Sequence, residues 1–233
     1  MRIAGLNNWI SELAPHIRQE LRSRMHTRHI SAGQLIREAG DPGLSICQVD
    51  EGYIKLVADL PAGERALLAV YVPGNVFGET AVICGRSLFH TTIAATDVTL
   101  SALTKAEFDY CYARFPEIPE ALCRKFAYTV SSTIHFREVK AQHPIGEQVA
   151  IVMLNLAECS STPYIGVSKE IDIPITIAEL SAFLGVTRQT VQKEITKLKN
   201  ARLISKSLSR WKINDIGKLS ELTASTELRS FNS

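Results

Sequence analysis

The feature that most limits the fold is an uninterrupted helical segment near the middle of the chain. Residues 119–142 contain no glycine and no proline other than Pro119, and His143-Pro144 ends the segment. Such a segment predicts one helix of about 36 Å, at 1.5 Å per residue. A helix of that length is too long to pack only within a small domain, so we expect it to have a further partner.

Two apolar stripes run along this helix. The first consists of Leu122, Phe126 and Val130 and suits the chain's own body. The second follows the 4-3-4-3 spacing of a coiled-coil seam and consists of Cys123, Ala127, Val130, Ile134 and Arg137. We therefore predict a homodimer whose interface contains Cys123, Ala127, Val130 and Ile134. A buried core helix without a partner is the alternative.

The segment before the helix has the pattern of β-structure. In residues 27–104, short apolar runs are separated by turn signals such as Gly40-Asp41-Pro42-Gly43 and Pro73-Gly74-Asn75. Turns at this spacing predict antiparallel strands in a sandwich or jelly-roll barrel. Ahead of them, an apolar residue at every fourth position predicts a helix that leans on the β-domain: Leu13, Ile17, Leu21 and Met25.

Composition excludes several classes of protein. The 233 residues are 45% hydrophobic and 21% charged, which is ordinary globular usage. No apolar run approaches the roughly 18 residues that cross a bilayer, and the N-terminus lacks a secretory apolar core, so we expect a cytoplasmic protein without a membrane partner. The five cysteines are scattered and form no C-x-x-C pair, so we predict buried free thiols.

The net charge of +2 conceals a strongly basic segment. Residues 186–212 carry eight basic side chains and one acidic side chain, whereas the remaining chain carries 18 basic and 23 acidic residues. A basic module on a mildly acidic body is the electrostatic pattern of a polyanion-binding protein. A solvated helix face is the alternative that charge alone leaves open.

Local signals in this region predict two short helices joined by a tight turn. A strand over residues 171–175 precedes Thr176-Ile177-Ala178-Glu179, a capping box that starts the first helix, and Gly185 ends that helix. Thr187 caps a second helix, and residues 206–210 form the turn of a basic wing. The second helix of a helix-turn-helix lies in the major groove of DNA. Its apolar face is Val191, Ile195 and Leu198.

The outward face of the second helix carries side chains of the types that hydrogen-bond base edges, which are Arg and Lys for guanine and Gln for adenine. Thr187 and Thr190 lie near the helix N-terminus, where a phosphate is favoured. The residues predicted to contact double-stranded DNA are Thr176, Thr187, Arg188, Gln189, Thr190, Gln192, Lys193, Lys197, Lys206 and Arg210.

With these residues in place, residues 10–215 resemble the Crp/Fnr family of bacterial transcription regulators. The resemblance rests on residues 31–36, on Glu38-Ala39-Gly40-Asp41-Pro42, on Glu51-Gly52-Tyr53-Ile54-Lys55, on residues 73–79 and on residues 177–204. It implies an α+β multidomain fold with an N-terminal cyclic-nucleotide-binding-like β-roll (jelly roll), a long dimerisation helix and a C-terminal winged helix-turn-helix. The expected domains are a sensor at 1–116, the dimerisation helix and hinge at 117–143, the DNA-binding domain at 144–215 and a polar tail at 216–233.

The resemblance also implies a function. A homodimer would bind an inverted-repeat DNA site, regulate transcription there under the control of an effector sensed in the β-roll, and meet RNA polymerase as a partner. The family's ligand site implies an effector pocket at Gly78, Glu79, Thr80, Arg86, Ser87 and His90.

The match to members that bind cyclic AMP is incomplete. Gly78-Glu79 match the pair that holds the ribose, but the arginine that neutralises the phosphate aligns with Leu88 or Phe89. Arg86-Ser87 match only if the intervening loop is shortened. A buried phosphate without a cation is unfavourable, so we expect no cyclic AMP binding, and Gly78 and Glu79 are then structural features of the roll.

The effector and cofactor therefore stay unknown. An iron–sulfur cluster is not expected, because it needs four thiolates, typically near the N-terminus, and no cysteine precedes Cys47. Haem stays open, because it needs one axial ligand. The candidate ligands are His16, His26, His29, His90, His135 and His143. The target sequence and the direction of regulation also stay open.

Two other classes of protein compete with a regulator. A metal-dependent jelly-roll enzyme needs two or three histidines and a carboxylate inside the barrel, but the β-segment holds only His29 and His90. We therefore predict no metal and no enzyme. The other alternative is a helix-turn-helix that serves only as a protein-interaction module, which a salt titration of DNA binding would distinguish.

Overall fold

The computed structural model describes residues 2–5, 8–60, 65–207 and 210–223. The chain divides into two units, Ala4–Ile134 and Met1–Ile3 with His135–Ser233. The boundary between the units falls inside the long helix, so it does not test the expected domain bounds at residues 116, 143 and 215. Those bounds stay predictions.

The first unit begins with a 3₁₀ helix, Trp9–Glu12. Its α-helices are α1 (Pro15–Arg24), α2 (Glu79–Cys84), α3 (Lys105–Arg114) and the larger part of α4 (Glu117–Gln142), which continues into the second unit from His135. Its strands are β1 (His26–Ile30), β2 (Leu35–Arg37), β3 (Ser45–Glu51), β4 (Ile54–Asp59), β5 (Arg65–Tyr71), β6 (Val76–Phe77), β7 (Thr91–Ala94) and β8 (Val98–Thr104).

The strands form two antiparallel sheets, in the orders β1-β8-β3-β6 and β2-β7-β4-β5. Because side chains alternate along a strand, the first sheet contributes to two cores. Cys47 and Ala102 pack between the two sheets, whereas their neighbours Ile46 and Leu103 pack against the helices. The predicted antiparallel β-roll is confirmed.

The helical core covers the outer face of the first sheet. It contains Trp9, Ile10, Leu13, Ile17, Leu21, Phe108, Ile118 and Leu122. The predicted N-terminal helix is thus present and leans on the β-domain. Met25, the last residue of its apolar repeat, is only partly buried.

The long helix α4 begins at Glu117, two residues earlier than predicted. Pro119 lies in its first turn, where a missing backbone N–H breaks no helical hydrogen bond. Leu122 is buried and Phe126 packs against the helical core, but Val130 is 59% exposed, so the first stripe contacts the body only as far as Phe126. All four predicted interface residues are exposed: Cys123, Ala127, Val130 and Ile134.

The second unit contains the helices α5 (Ile145–Cys159), α6 (Ile177–Leu184), α7 (Arg188–Asn200) and α8 (Ile216–Glu221). Its strands are β9 (Tyr164–Ile165), β10 (Ser168–Ile171), β11 (Ile204–Ser207) and β12 (Arg210–Ile213), in the sheet order β11-β12-β10-β9.

Two details of this unit differ from the sequence analysis. The strand expected over residues 171–175 is wrong beyond Ile171, where β10 ends, because Pro174 has no N–H for a strand ladder. Helix α8 lies inside the expected polar tail and buries Leu219. Leu208 and Ser209, in the expected wing turn, lie outside the described residues.

The prediction of five buried thiols is wrong for two of them. Cys47 and Cys111 are buried and Cys159 is intermediate, but Cys84 and Cys123 are exposed. Among the described residues, no helix is long and apolar enough to span a membrane. No group of three or more His, Cys, Asp or Glu side chains in these same ranges is placed to hold a metal ion.

Candidate functional site

Helix α6, the first of the helix-turn-helix, is fixed at both ends by hydrogen bonds. The Thr176 hydroxyl accepts from the Glu179 N–H (3.1 Å), and the Glu179 carboxylate accepts from the Thr176 N–H (2.8 Å). At the other end, Gly185 has a φ of 69°, a conformation that other residues rarely adopt. The predicted capping box and glycine turn are both confirmed.

Helix α7 presents a polar face to solvent. Its cap is Thr187, whose hydroxyl accepts from the Thr190 N–H (3.2 Å). Val191, Ile195 and Leu198 are buried as predicted. The opposite face is exposed and brings four predicted reading residues together: Arg188, Gln189, Gln192 and Lys193.

Lys197 has a partner within the same helix. Its ammonium donates to both oxygens of the Glu194 carboxylate, at 2.8 and 3.0 Å. The Lys197 side chain is 60% exposed, so solvent screens its side of this ion pair, whereas the Glu194 side chain is only 15% exposed. The DNA contact of Lys197 stays a prediction.

The wing is the hairpin of β11 and β12, in which Lys206 pairs with Trp211 and Ser207 pairs with Arg210. The buried indole of Trp211 donates to the Ile175 carbonyl (3.2 Å), which fixes the ring. The ammonium groups of Lys206 and Lys199 lie 4.7 and 5.3 Å from the centre of that ring. Both charges are therefore held by cation–π contacts.

A basic residue outside the predicted set also lies beside the turn. Lys140, in the last turn of α4, lies against Gly185, where an added Cβ would be 3.1 Å from its Nζ. On the same stretch of α4, Phe136 packs on Phe183 of α6 with ring centres 5.3 Å apart. No local sequence signal reveals this contact, because the two helices are separated by more than thirty residues of chain.

The residues of the predicted effector pocket do not form one cluster of buried side chains. Thr80, Arg86, Ser87 and His90 are exposed. The Glu79 carboxylate is buried and faces elsewhere: Lys125 Nζ donates to it at 2.5 Å and Trp9 Nε1 at 2.8 Å. This geometry favours the alternative of a structural role for Glu79, while the effector role of the six residues stays a prediction.

Comparison with known proteins covers both units. Residues 27–115, from β1 to the end of α3, match the family described as cyclic nucleotide-binding domain. Residues 147–222, from α5 to α8, match the Crp-like helix-turn-helix domain. The two matches together span most of the chain, in this order and with α4 between them. The chain belongs to the Crp/Fnr family of transcription regulators.

Individual relatives agree with this assignment. The chain is 28% identical to the transcriptional regulator SdrP of Thermus thermophilus over 202 residues, which are 85% of this chain and 95% of the relative. A solved CRP/FNR-family regulator from Thermus thermophilus is 26% identical, with a TM-score of 0.70 over 85% of this chain and 98% of its own. FixK2 from Bradyrhizobium japonicum has a TM-score of 0.73 at 17% identity, over 87% and 99%, which supports the fold.

Family membership confirms the main expectations of the sequence analysis. A Crp/Fnr protein is a transcription regulator with an effector-binding domain and a helix-turn-helix, and that family contains regulators rather than enzymes. It also implies that the exposed face of α7 belongs to a DNA-binding module.

Proposed function

We propose that this Crp/Fnr protein binds an inverted-repeat DNA site as a homodimer in the cytoplasm and regulates transcription under the control of an effector sensed in its β-roll. The exposed polar face of α7, framed by a capped α6 and a basic wing, is the observation that carries this proposal. RNA polymerase is its expected partner. The proposed domains are a sensor at residues 1–116, a dimerisation helix and hinge at 117–143, a DNA-binding domain at 144–215 and a tail at 216–233. We propose no catalytic activity.

Charge and exposure support DNA as the ligand of α7. Arg188, Lys193 and Lys206 are exposed, and Glu194 contributes the one negative charge of residues 186–212, which Lys197 neutralises locally. Phosphate contacts supply sequence-independent affinity, whereas base-edge contacts supply discrimination. Arg188, at the first position of α7, is suited to base contacts, and Lys206 on the wing is suited to phosphate contacts.

The exposed seam of α4 supports a homodimer. Val130 is 59% exposed and Ile134 is 56% exposed, on a helix that packs against the helical core only as far as Phe126. A seam of this spacing buries its apolar side chains against a second copy of the same helix. A twofold dimer would present two α7 helices to successive major grooves, about 34 Å apart, so the site should be a near-palindrome.

The proposal is tested by two substitutions with different expected results. Arg188→Ala should cost about 1–3 kcal/mol per half-site and relax the preference at one base position, because alanine cannot form the bidentate hydrogen bonds to guanine. Lys206→Ala should weaken binding to all sequences alike and reduce the salt slope by about one for each phosphate that the Lys206 ammonium neutralises. Selection from randomised duplexes, followed by salt titration of the selected site, measures both effects.

The matched control is Lys218→Ala, which removes an exposed lysine of α8 that pairs with Asp215 at 3.4 Å. It should leave the selected motif and the salt slope unchanged. An unchanged motif in Arg188→Ala would contradict the role of Arg188. Binding that does not depend on salt in the wild type would favour a protein-interaction module.

The exposed Cys123 provides a direct test of the dimer. If the seam lies on a twofold axis, each Cys123 faces its counterpart at a distance that a disulfide can bridge, about 4.4–6.8 Å between Cα atoms. Mild oxidation should therefore convert most of the protein into a covalent dimer on a non-reducing gel. Cys123→Ser should abolish this product, whereas Cys84→Ser, at the other exposed cysteine, should retain it. A cross-link that needs Cys84 would contradict the proposed seam.

A further inference from the structure

The interior of the β-roll contains a buried arginine that the sequence analysis did not select. Arg37, the last residue of β2, is 9% exposed. Its Nη2 donates to the Ser45 carbonyl (2.8 Å), the Ser45 hydroxyl (2.9 Å) and Cys47 Sγ (2.9 Å). Its guanidinium carbon lies 5.0 Å from the centre of the Phe77 ring. Cys47 and Phe77 both belong to the core between the two sheets, so the charge lies inside the roll.

The Nη1 atom of this guanidinium has no hydrogen-bond partner among the described residues. Arg37 Nη1 is buried and makes no hydrogen bond, and no carboxylate in the described part of the chain forms an ion pair with Arg37. Thr92 is the cross-strand partner of Arg37 in the pairing of β2 with β7, whose register shifts between Leu35 and Arg37. Among the residues that the structure describes, the buried Oγ1 of Thr92 also has no hydrogen-bond partner. Cross-strand partners present their side chains on the same face of a sheet, so the two residues that carry these unpartnered groups are neighbours.

The side chains of Thr91 and Tyr71, which lie in this region, do not supply the missing hydrogen bonds or the missing negative charge. Thr91, the adjacent residue, uses its hydroxyl to accept from the Ala39 N–H and to donate to Asp59. Burial, with a contribution from the charge of Glu79, raises the pKa of Tyr71 against the opposing effect of Arg37, so the phenol stays neutral and supplies no counter-charge. Gly78 leaves room for the arginine, because a Cβ at this position would collide with Nη1 and lie 2.7 Å from the Ser45 carbonyl.

A buried cation without an ion-pair partner and a buried hydroxyl without a hydrogen bond, on two paired residues, are each unfavourable, and a ligand that binds both groups removes this cost. The planar fork of a guanidinium fits the oxygen atoms of a phosphate or a carboxylate. A threonine hydroxyl can donate to the same group. An oxyanion is therefore the one class of ligand that satisfies both the charge and the hydrogen-bonding groups.

We propose that the β-roll binds an oxyanion through Arg37 Nη1 and Thr92 Oγ1, so that the acidic group of the effector lies here instead of at Arg86. This site would be the part of the β-roll that senses the effector. Only the expected effect of the anion on DNA binding rests on the function proposed above. Binding of the oxyanion itself is independent of the helix-turn-helix.

The experiment is thermal unfolding of the full chain at constant ionic strength, with sodium phosphate or sodium acetate replacing sodium chloride. The unfolding temperature of the wild type should rise with the logarithm of the anion concentration above the Kd and be about 5–10 °C higher once the stabilising anion exceeds its Kd by about 100-fold. The two anions distinguish a phosphate from a carboxylate as the bound group. General salt effects on stability act on every variant alike, so the response of each variant relative to wild type is the readout.

Thr92→Val is the decisive variant, because valine has nearly the same shape and removes the unpartnered hydroxyl. It should unfold at the same or a higher temperature than wild type in chloride and lose most of the anion response. Arg37→Gln should lose the response completely. Arg28→Gln, at an exposed arginine on β1, is the matched control and should retain it.

Three results would overturn the proposal. They are a wild type whose unfolding temperature rises with neither anion by more than that of Arg37→Gln, a wild-type response in Thr92→Val, and a response that disappears in Arg86→Gln but persists in Arg37→Gln. A parallel DNA titration with and without the anion separates anion binding by the β-roll from an effect of the anion on DNA affinity. If the anion raises the unfolding temperature but does not change DNA affinity, the anion site is supported and only its role in the proposed regulation is contradicted.

Discussion

Lys125→Met is expected to destabilise the first unit by about 3–5 kcal/mol, the usual effect of removing one partner of a buried ion pair. Lys125 is the partner of Glu79, and their side chains are only 11% and 3% exposed. Without the ammonium, the Glu79 carboxylate keeps one hydrogen bond, from Trp9 Nε1, and its negative charge stays buried. Glu79→Gln should have a comparable effect, because it leaves the Lys125 charge buried and unpaired.

The matched control for this prediction is the preceding residue on the same helix. Arg124 forms an ion pair with Glu12 at 3.3 Å, but both side chains are substantially exposed. Arg124→Met should therefore change the free energy of unfolding by less than about 1 kcal/mol. Urea denaturation of the three variants measures the difference, and the double variant of Lys125 and Glu79 should be more stable than the sum of the two single effects predicts. Equal effects at Lys125 and Arg124 would show that the buried pair has no special role.

This ion pair also explains why the presence of Glu79 does not predict which effector the β-roll binds. The carboxylate joins three segments that are far apart in the chain, namely the 3₁₀ helix, α2 and α4. A glutamate in this position matches the family motif whether or not the chain binds the family's ligand. The motif at Gly78-Glu79 therefore predicts the β-roll more securely than it predicts the effector.

The helix-turn-helix could be predicted almost to the residue. Thr176 with Glu179, Gly185, and Thr187 with Thr190 each act through atoms within a few residues along the chain, so a short stretch of sequence contains the whole signal. The exposed and buried faces of α7 follow from the helical period. What these side chains contact on DNA depends on a partner molecule and stays a prediction.

The β-roll could be predicted only as a class. Turn signals predict where its strands end, but they do not predict the order of the strands in the sheet, in which β3 lies between β8 and β6. The Arg37–Thr92 pair depends on another long-range pairing, that of β2 with β7, although an arginine that follows Leu35-Ile36 in a short apolar strand is a usable signal. The predictions for Cys84 and Cys123 were wrong for the same reason, because a residue's typical burial does not reveal which face of a helix is covered.

Ala127→Glu is expected to dissociate the dimer and to lower the affinity for an inverted-repeat site by about 10²–10⁴-fold. Ala127 is exposed at the centre of the seam, between Cys123 and Val130, so a twofold axis there would bring two carboxylates together. Once the copies separate, each binds a half-site alone, without the effective concentration that links the two binding events. Light scattering gives the oligomeric state, and fluorescence anisotropy with full and half sites gives the affinities.

Thr129→Glu is the control, because it adds the same charge two residues further along, on another side of the same helix and also exposed. It should leave the protein a dimer and keep the large preference for the full site over the half-site. Ala127→Glu should instead bind both duplexes with similar affinity, while its unfolding temperature and its half-site binding show that the fold is retained. A wild type that is monomeric at micromolar concentration, or an Ala127→Glu protein that stays dimeric, would contradict the seam on α4 without affecting the reading face of α7.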